Sequence, residues 1–346
     1  MIQRIIGWIA IMAALVCAVP AWATETVHVF NWTEYLPDAA LEQFTKETGI
    51  EVMYTPYDSN EAMYAELQQA KEHEYDVVFP STYFVSKMRR EGMLQRLNHQ
   101  LIPNMKDIQP VLLNKAYDRG NVYSLPYMWG STGIGVNSEL VDAETITSWK
   151  DLWDPKFRGR LLLQDDMRDV FHMALHIKGY STNSRNPKEI EEAYLLLKEL
   201  MPSVRLFNSD YPREHFLTGE VSLGMIWNGE AWMAQQENQA IRYVYPKEGA
   251  SFWVDNFVIP KQAQNVANAH AFINFMLRPD IAKLCVEEYG SASPVKSVLP
   301  LLDETTRHSK TVYPDIFAIA AGEFQTDVGD ALPIYQKYWE MLRAAN

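Results

Sequence analysis

Tryptophans and carboxylates recur together at the ends of short apolar runs in this chain. VHVF (27–30) leads into NWTEY, which carries Trp32, Glu34 and Tyr35. YDVVFP (75–80) leads into STYF, with Ser81 and Tyr83. RLLLQ (160–164) leads into DDMRD, with Asp166 and Asp169. VSLGMI (221–226) leads into WNGE, with Trp227. FWVDNFVIP (252–260) holds Trp253 and Asp255 within the run itself. Aromatic faces attract cations by about 0.5–2 kcal/mol each. Flat rings also cover methylenes, at about 0.8 kcal/mol per buried CH₂. Carboxylates pair with ammonium groups, although desolvation offsets much of that gain unless further hydrogen bonds help. Rings with separated acids therefore suit a linear molecule with charged ends and an apolar middle, as in a polyamine. A sugar is the competing ligand class, because pyranose rings also stack on aromatic platforms. Sugar sites ordinarily carry more Asn, Gln and Arg than these loops do.

These residues share common ground only if the runs are strands of one sheet. Each run is short, rich in Val, Leu, Ile or Phe, and not strictly alternating, which is the pattern of a buried strand in a parallel or mixed sheet. Helical patterns lie between them. Pro37 to Thr48 places Ala40, Leu41 and Phe44 at helical spacing, with Gly49 as a stop. Asn60 to Lys71, Ala267 to Met276 and Pro279 to Glu288 read similarly, and Ile190 to Leu200 puts Ile190, Ala193, Tyr194 and Leu197 on one face. Alternating strand and helix predicts an α/β fold. In open α/β sheets, ligands bind beyond the carboxyl ends of the strands, where these loops would lie.

The 346 residues are 47% hydrophobic and 22% charged, ordinary globular values that suit two domains or one large one. The formal charge of −13 argues against nucleic acid as a partner and leaves room for a cationic ligand. At the N-terminus, Arg4 precedes an apolar run from Ile5 to about Val19, and Ala21-Trp22-Ala23 supplies small residues at a cleavage site. Residues 1–23 therefore read as a secretory signal peptide rather than an uncleaved anchor. Cys17 suggests a lipoprotein, but Val16 before it fits poorly. No later stretch approaches the roughly 20 apolar residues of a membrane span. Cleavage near Thr24 would leave Cys285 as the one cysteine, so the exported chain rests on its core rather than on an internal disulfide.

Enzyme chemistry finds little support. There is no HExxH, GxSxG or Walker loop, and GSTGIG (130–135) departs from the dinucleotide fingerprint and reads as a crossing loop. His172 and His176 are four apart and share a helix face, but a metal needs more ligands. Asp165 and Asp166 read as a cleft-lining acid beside a helix-capping one rather than as paired catalysts. Cys285, in a helical stretch, reads as a buried structural residue. No cofactor, metal or catalytic residue is expected.

NWTEY, LEQFTKETGI (41–50), YDVVFPSTYFVSKMRREGM (75–93), EVSLGMIWNGEA (220–231), YPKEG (245–249), NFMLRPDIAK (274–283) and QTDVGDALPIY (325–335) resemble segments of the bacterial periplasmic spermidine/putrescine-binding proteins. These are the solute receptors of polyamine ABC transporters. The resemblance covers nearly all of the chain after residue 23. It implies a periplasmic location and a two-lobe periplasmic-binding-protein fold of type II, with the ligand between the lobes. The implied lobes are 24–130 plus 252–300 and 135–249 plus 304–346, with crossings near 131–134, 250–251 and 300–303. It also implies that Trp32, Tyr35, Trp227 and Trp253 sandwich the methylene chain. Asp166, Asp169 and Asp255 would bind the amines. Thr33, Glu34, Ser81, Tyr83, Arg168, Ser209 and Gln325 fall at further binding or supporting positions.

Two departures touch the implied site. The spermidine receptor carries glutamate where this chain has Asp169, one methylene shorter. A family tyrosine near Gly290 is replaced by Ser291, which would remove one aromatic wall. A site with this many rings is expected to prefer spermidine or norspermidine to putrescine. The implied partner is an ABC permease. The alternative is the periplasmic domain of a membrane signalling protein, as in relatives that report polyamine level to cyclic-di-GMP enzymes governing biofilm.

Overall fold

The computed structural model describes residues 25–70 and 74–344. The signal-peptide reading of residues 1–23, with Cys17, and the expected helix end at Lys71 lie outside the described residues. Ten strands occur among them: β1 (Thr26–Trp32), β2 (Glu51–Tyr57), β3 (Val77–Val78), β4 (Ser124–Asn137), β5 (Leu161–Leu163), β6 (Val204–Phe207), β7 (Leu223–Trp227), β8 (Ile241–Val244), β9 (Ser251–Val258) and β10 (Glu323–Phe324). They pair in the order β2-β1-β3-β9-β4-β7-β5-β6, with β8 also on β4 and β10 on β9. β1 is parallel to β2 and β3, and β5 is parallel to β6 and β7. β9 runs antiparallel to β3 and β4, and β4 runs antiparallel to β7 and β8. The sheet is therefore mixed.

The five apolar runs became β1, β3, β5, β7 and β9. The five helical patterns became Asp38–Thr48, Asn60–Gln69, Pro187–Leu200, Val266–Met276 and Pro279–Tyr289. Gly49 ends the first of these at φ 76°, its N–H donating to the Thr45 carbonyl, a left-handed stop that glycine adopts without a Cβ clash.

GSTGIG is not a loop. It lies inside β4, whose 14 residues are all buried. Its glycines make room for neighbours instead of a turn. A Cβ on Gly133 would lie 2.8 Å from the Tyr243 ring, and one on Gly135 would lie 2.9 Å from Ile226.

Two large hydrophobic cores result. The first packs Val27, Val29, Phe44, Phe79, Phe257 and Phe272. The second packs Trp149, Phe171, Leu197, Leu223 and Tyr335. β4 gives Leu125, Tyr127 and Met128 to the first core and Ile134 and Val136 to the second. The chain is still in the first core at Val312, beyond 300–303, and enters the second at Val328. Two cores threaded by common strands make a two-lobe α/β fold.

Candidate ligand-binding site

A cleft open to solvent lies between the two cores, a usual location for a small-molecule site. β1 delivers Trp32 at its end and Thr33, Glu34 and Tyr35 in the following turn. After β3 the chain turns into the helix Thr82–Arg90, which Ser81 precedes and Tyr83 opens. After β5, Asp166 caps the helix Met167–Ile177, and Asp169 sits in its first turn. Trp227 ends β7, and Ser209 follows β6. Side chains in a strand alternate in direction, so Trp253 and Asp255 share a face of β9 while Phe252 and Val254 pack behind it. Gly130 in β4 leaves room for the Trp253 ring, 2.5 Å from where a Cβ would stand.

Asp255 is buried. Ser81 Oγ donates to its Oδ1 at 2.6 Å and Tyr35 Oη donates to its Oδ2 at 3.0 Å. Asn60 Nδ2 in turn donates to Ser81 Oγ and Tyr83 Oη, both at 3.1 Å. Burial pushes the Asp255 pKa up to about 7 despite these donors. Asp169 accepts from Thr132 Oγ1 at 2.6 Å, Trp227 Nε1 at 3.0 Å and Gln325 Nε2 at 2.7 Å. Burial raises its pKa too, against these hydrogen bonds. Asp166 Oδ1 accepts from the Asp169 backbone N–H at 2.9 Å. Burial, then the Asp169 carboxylate, raises the Asp166 pKa well above the ordinary range. Three acids thus sit in one cavity, positioned by neutral donors, and each is held back from ionising.

The rings close around them. Trp32 and Trp227 meet edge to face with centroids 6.1 Å apart, one from each side of the cleft. Trp32 Nε1 donates to the Phe79 carbonyl at 3.0 Å, which fixes its plane.

Of the fifteen residues singled out in the sequence, Arg168 alone does not line the cavity. Its guanidinium donates to the carbonyls of Thr326 and Thr182 and lies 5.3 Å from the Tyr83 ring centroid, so it supports the wall from behind. Ser209 lines the cavity and is hydrogen-bonded to the Gln164 side chain at 3.1 Å. Asp166 both caps its helix and lines the cavity, whereas Asp165 pairs with Arg343 at 3.1 Å; the expected division of roles between the two is incorrect. Beside Ser291, Tyr289 lines the cavity, so an aromatic wall is still present there. Glu34 is bound to Arg213 at 2.6 Å, a partner with no sequence signal because 179 residues separate them. Tyr57, Asp58, Asn60, Asp210, Glu230 and Met233 also line the cavity and were not anticipated. Asn60 opens a helix, so its position beside a strand end was the available clue. Among the described residues no group of three His, Cys, Asp or Glu is arranged to hold a metal, and no helix is long and apolar enough to cross a membrane. His172 and His176 bond the Gly249 and Glu248 carbonyls.

A raised carboxyl pKa in the folded state stabilises that state below the unfolded pKa, and the contribution is lost as pH rises through the folded value. The empty protein should therefore lose melting temperature between about pH 4 and pH 8. Thermal denaturation of wild type and Asp255→Asn across that range checks this. The substitution should flatten the fall between about pH 4 and pH 7, the span between the unfolded and folded values of Asp255. Parallel curves would remove Asp255 as its source.

A sequence model of the bacterial extracellular solute-binding proteins matches residues 39–311. The spermidine/putrescine-binding periplasmic protein of Salmonella typhimurium is 51% identical over 320 residues, 92% of this chain and 92% of its own. A solved structure from Listeria monocytogenes, assigned to a spermidine/putrescine ABC transporter, superposes with a TM-score of 0.89 at 34% identity, covering 93% of this chain and 100% of the other. The substrate-binding protein of a spermidine/putrescine ABC transporter from Streptococcus pneumoniae superposes at 0.77 with 36% identity, covering 92% of this chain and 99% of the other.

Proposed function

The chain belongs to the bacterial extracellular solute-binding proteins, in the family of the spermidine/putrescine-binding periplasmic proteins, and on that premise we propose that it captures a linear polyamine in the periplasm. The observation that carries this reading is the joint placement of Asp166, Asp169 and Asp255 in one cavity walled by Trp32, Tyr35, Trp227 and Trp253. Three acids favour a triamine, spermidine or norspermidine, over putrescine. The rings cover the methylenes between the ammonium groups.

Groups from both cores contact the ligand, so it binds the closed arrangement better and shifts the population towards it. We place the lobes at 25–130 plus 252–312 and at 135–249 plus 328–344, with crossings at 131–134, at 250–251 and between Val312 and Val328. The two cores and their shared strand β4 support this division. The relatives support an ABC permease as the partner that reads closure. Polyamine uptake that stops when the gene is deleted and returns with it is the expected result. Unchanged uptake with altered biofilm would assign the output to a membrane signalling protein instead.

The ligand class is tested by refolding the purified protein from denaturant, which strips carried-over ligand, and following melting temperature against concentration. Putrescine, norspermidine, spermidine and spermine are compared with sugars and amino acids. Polyamines should raise the melting temperature and sugars should not. If no polyamine moves it, the reading fails.

A further inference from the structure

NWTEY places a carboxylate in the cleft that a ligand ammonium would be expected to take, but the structure shows it already taken. Arg213 Nη1 donates to Glu34 Oε2 at 2.6 Å and Nη2 donates to Glu34 Oε1 at 3.1 Å, a two-point grip that suits a planar guanidinium. The same Nη1 lies 3.0 and 3.2 Å from the two carboxylate oxygens of Glu230. Glu34 and Glu230 both line the ligand cavity. Glu34 follows β1, whose valines pack in the first core, and its backbone takes φ 49°, a left-handed conformation uncommon outside glycine. Arg213 and Glu230 come from the helices Pro212–Leu217 and Asn228–Glu237, whose Phe216, Ala231 and Ala234 pack with Leu162 of β5 and Ile226 of β7. The bridge therefore spans the cleft. The Arg213 and Glu230 side chains are only 12% and 10% exposed, so this is not a solvent-screened surface pair.

We propose that Arg213 is a resident cation of the cleft, which withholds Glu34 and Glu230 from the ligand and so limits how many ammonium groups a bound polyamine can have. The proposal rests on the polyamine reading of the same cavity. With its charge spent on Glu34 and Glu230, the guanidinium leaves neither carboxylate free to meet an ammonium brought there. Of the cavity acids that remain, Asp58 and Asp210 are exposed to solvent, so the enclosed ammonium groups are met by Asp166, Asp169 and Asp255. A fourth ammonium would have to displace the guanidinium from two carboxylates. Taking the guanidinium away would instead leave the buried Glu230 carboxylate and the half-buried Glu34 carboxylate without a counter-charge, which is a cation site.

Calorimetric titration of wild type, Arg213→Ala and Arg213→Lys with putrescine, spermidine and spermine tests the assignment. Wild type should favour spermidine over spermine. In Arg213→Ala, spermine affinity should gain about tenfold or more relative to that of putrescine. Arg213→Lys keeps the charge and should keep the wild-type order. Equal shifts for all three ligands in Arg213→Ala would make the residue a closure strut and overturn the proposal. If Arg213→Ala does not fold, the double variant Glu34→Gln/Glu230→Gln leaves the guanidinium uncompensated. Affinity should then fall most steeply for spermine, and a uniform fall overturns the proposal as well. If wild type binds none of the three, the polyamine reading itself fails, and the assignment falls with it.

Discussion

Asp255→Asn lowers polyamine affinity by more than about a hundredfold, roughly 3 kcal/mol, while making the empty protein more stable above pH 7. Both effects have one cause. Asp255 is 5% exposed and, with its pKa near 7, is only partly ionised at neutral pH in the empty cleft. An ammonium supplies the missing counter-charge, so binding drives ionisation and releases a proton. The amide keeps the shape and can still bond Ser81 and Tyr35, whose hydroxyls can reverse their donor roles. It cannot neutralise the ammonium, which is left buried without a counter-ion. Calorimetry at pH 8 gives the affinity, and a thermal melt of the empty variant gives the stability. Repeating the titration at about pH 6, below the Asp255 pKa, in buffers of different ionisation enthalpy should show proton release in wild type and less of it in the variant. An affinity within tenfold of wild type would remove Asp255 as the anchor.

Trp227→Ala has the second large effect, about 3 kcal/mol of binding. One side chain there does three things. Its face is available to methylenes and to a cation. Its Nε1 donates to Asp169 Oδ2 at 3.0 Å, and its ring meets Trp32 across the cleft. Alanine removes all three, and leaves Asp169 with Thr132 and Gln325 as its remaining donors. Trp227→Phe separates them: it keeps a ring face and loses the donor. Its affinity should fall between wild type and alanine. If Phe binds as weakly as Ala, positioning of Asp169 dominates; if Phe matches wild type, the indole N–H has no role in binding.

Much of this site was legible in the sequence, for a definable reason. Functional side chains at strand ends sit beside apolar runs that are themselves easy to read. Trp32, Asp166 and Trp227 each follow a run of buried aliphatic or aromatic residues. Asp255 needed only the period of a strand to be placed with Trp253. What stayed hidden depends on tertiary contact. Glu34 looked like a ligand for an ammonium because nothing local announces Arg213. Asp166 looked like a wall and its neighbour like the cap, because sequence gives no angle between a helix end and a cleft. GSTGIG looked like a loop because glycine has two uses, and only the neighbouring Tyr243 and Ile226 side chains reveal which applies. The resemblance marked Arg168 as a binding or supporting position, and only its bonds to the Thr182 and Thr326 carbonyls show that it supports.

β4 has a consequence for how the molecule comes apart. Its first half lies in one core and its second half in the other, and every residue along it is buried. Neither half of the protein owns the strand. Melting one core strips the shared strand of cover and takes neighbouring register from the other. The two lobes can therefore tilt relative to one another but cannot denature separately, and no cut in the chain yields one of them as a folded fragment. Amide exchange along 124–137 should run at the rate of global unfolding in the empty and the loaded protein alike.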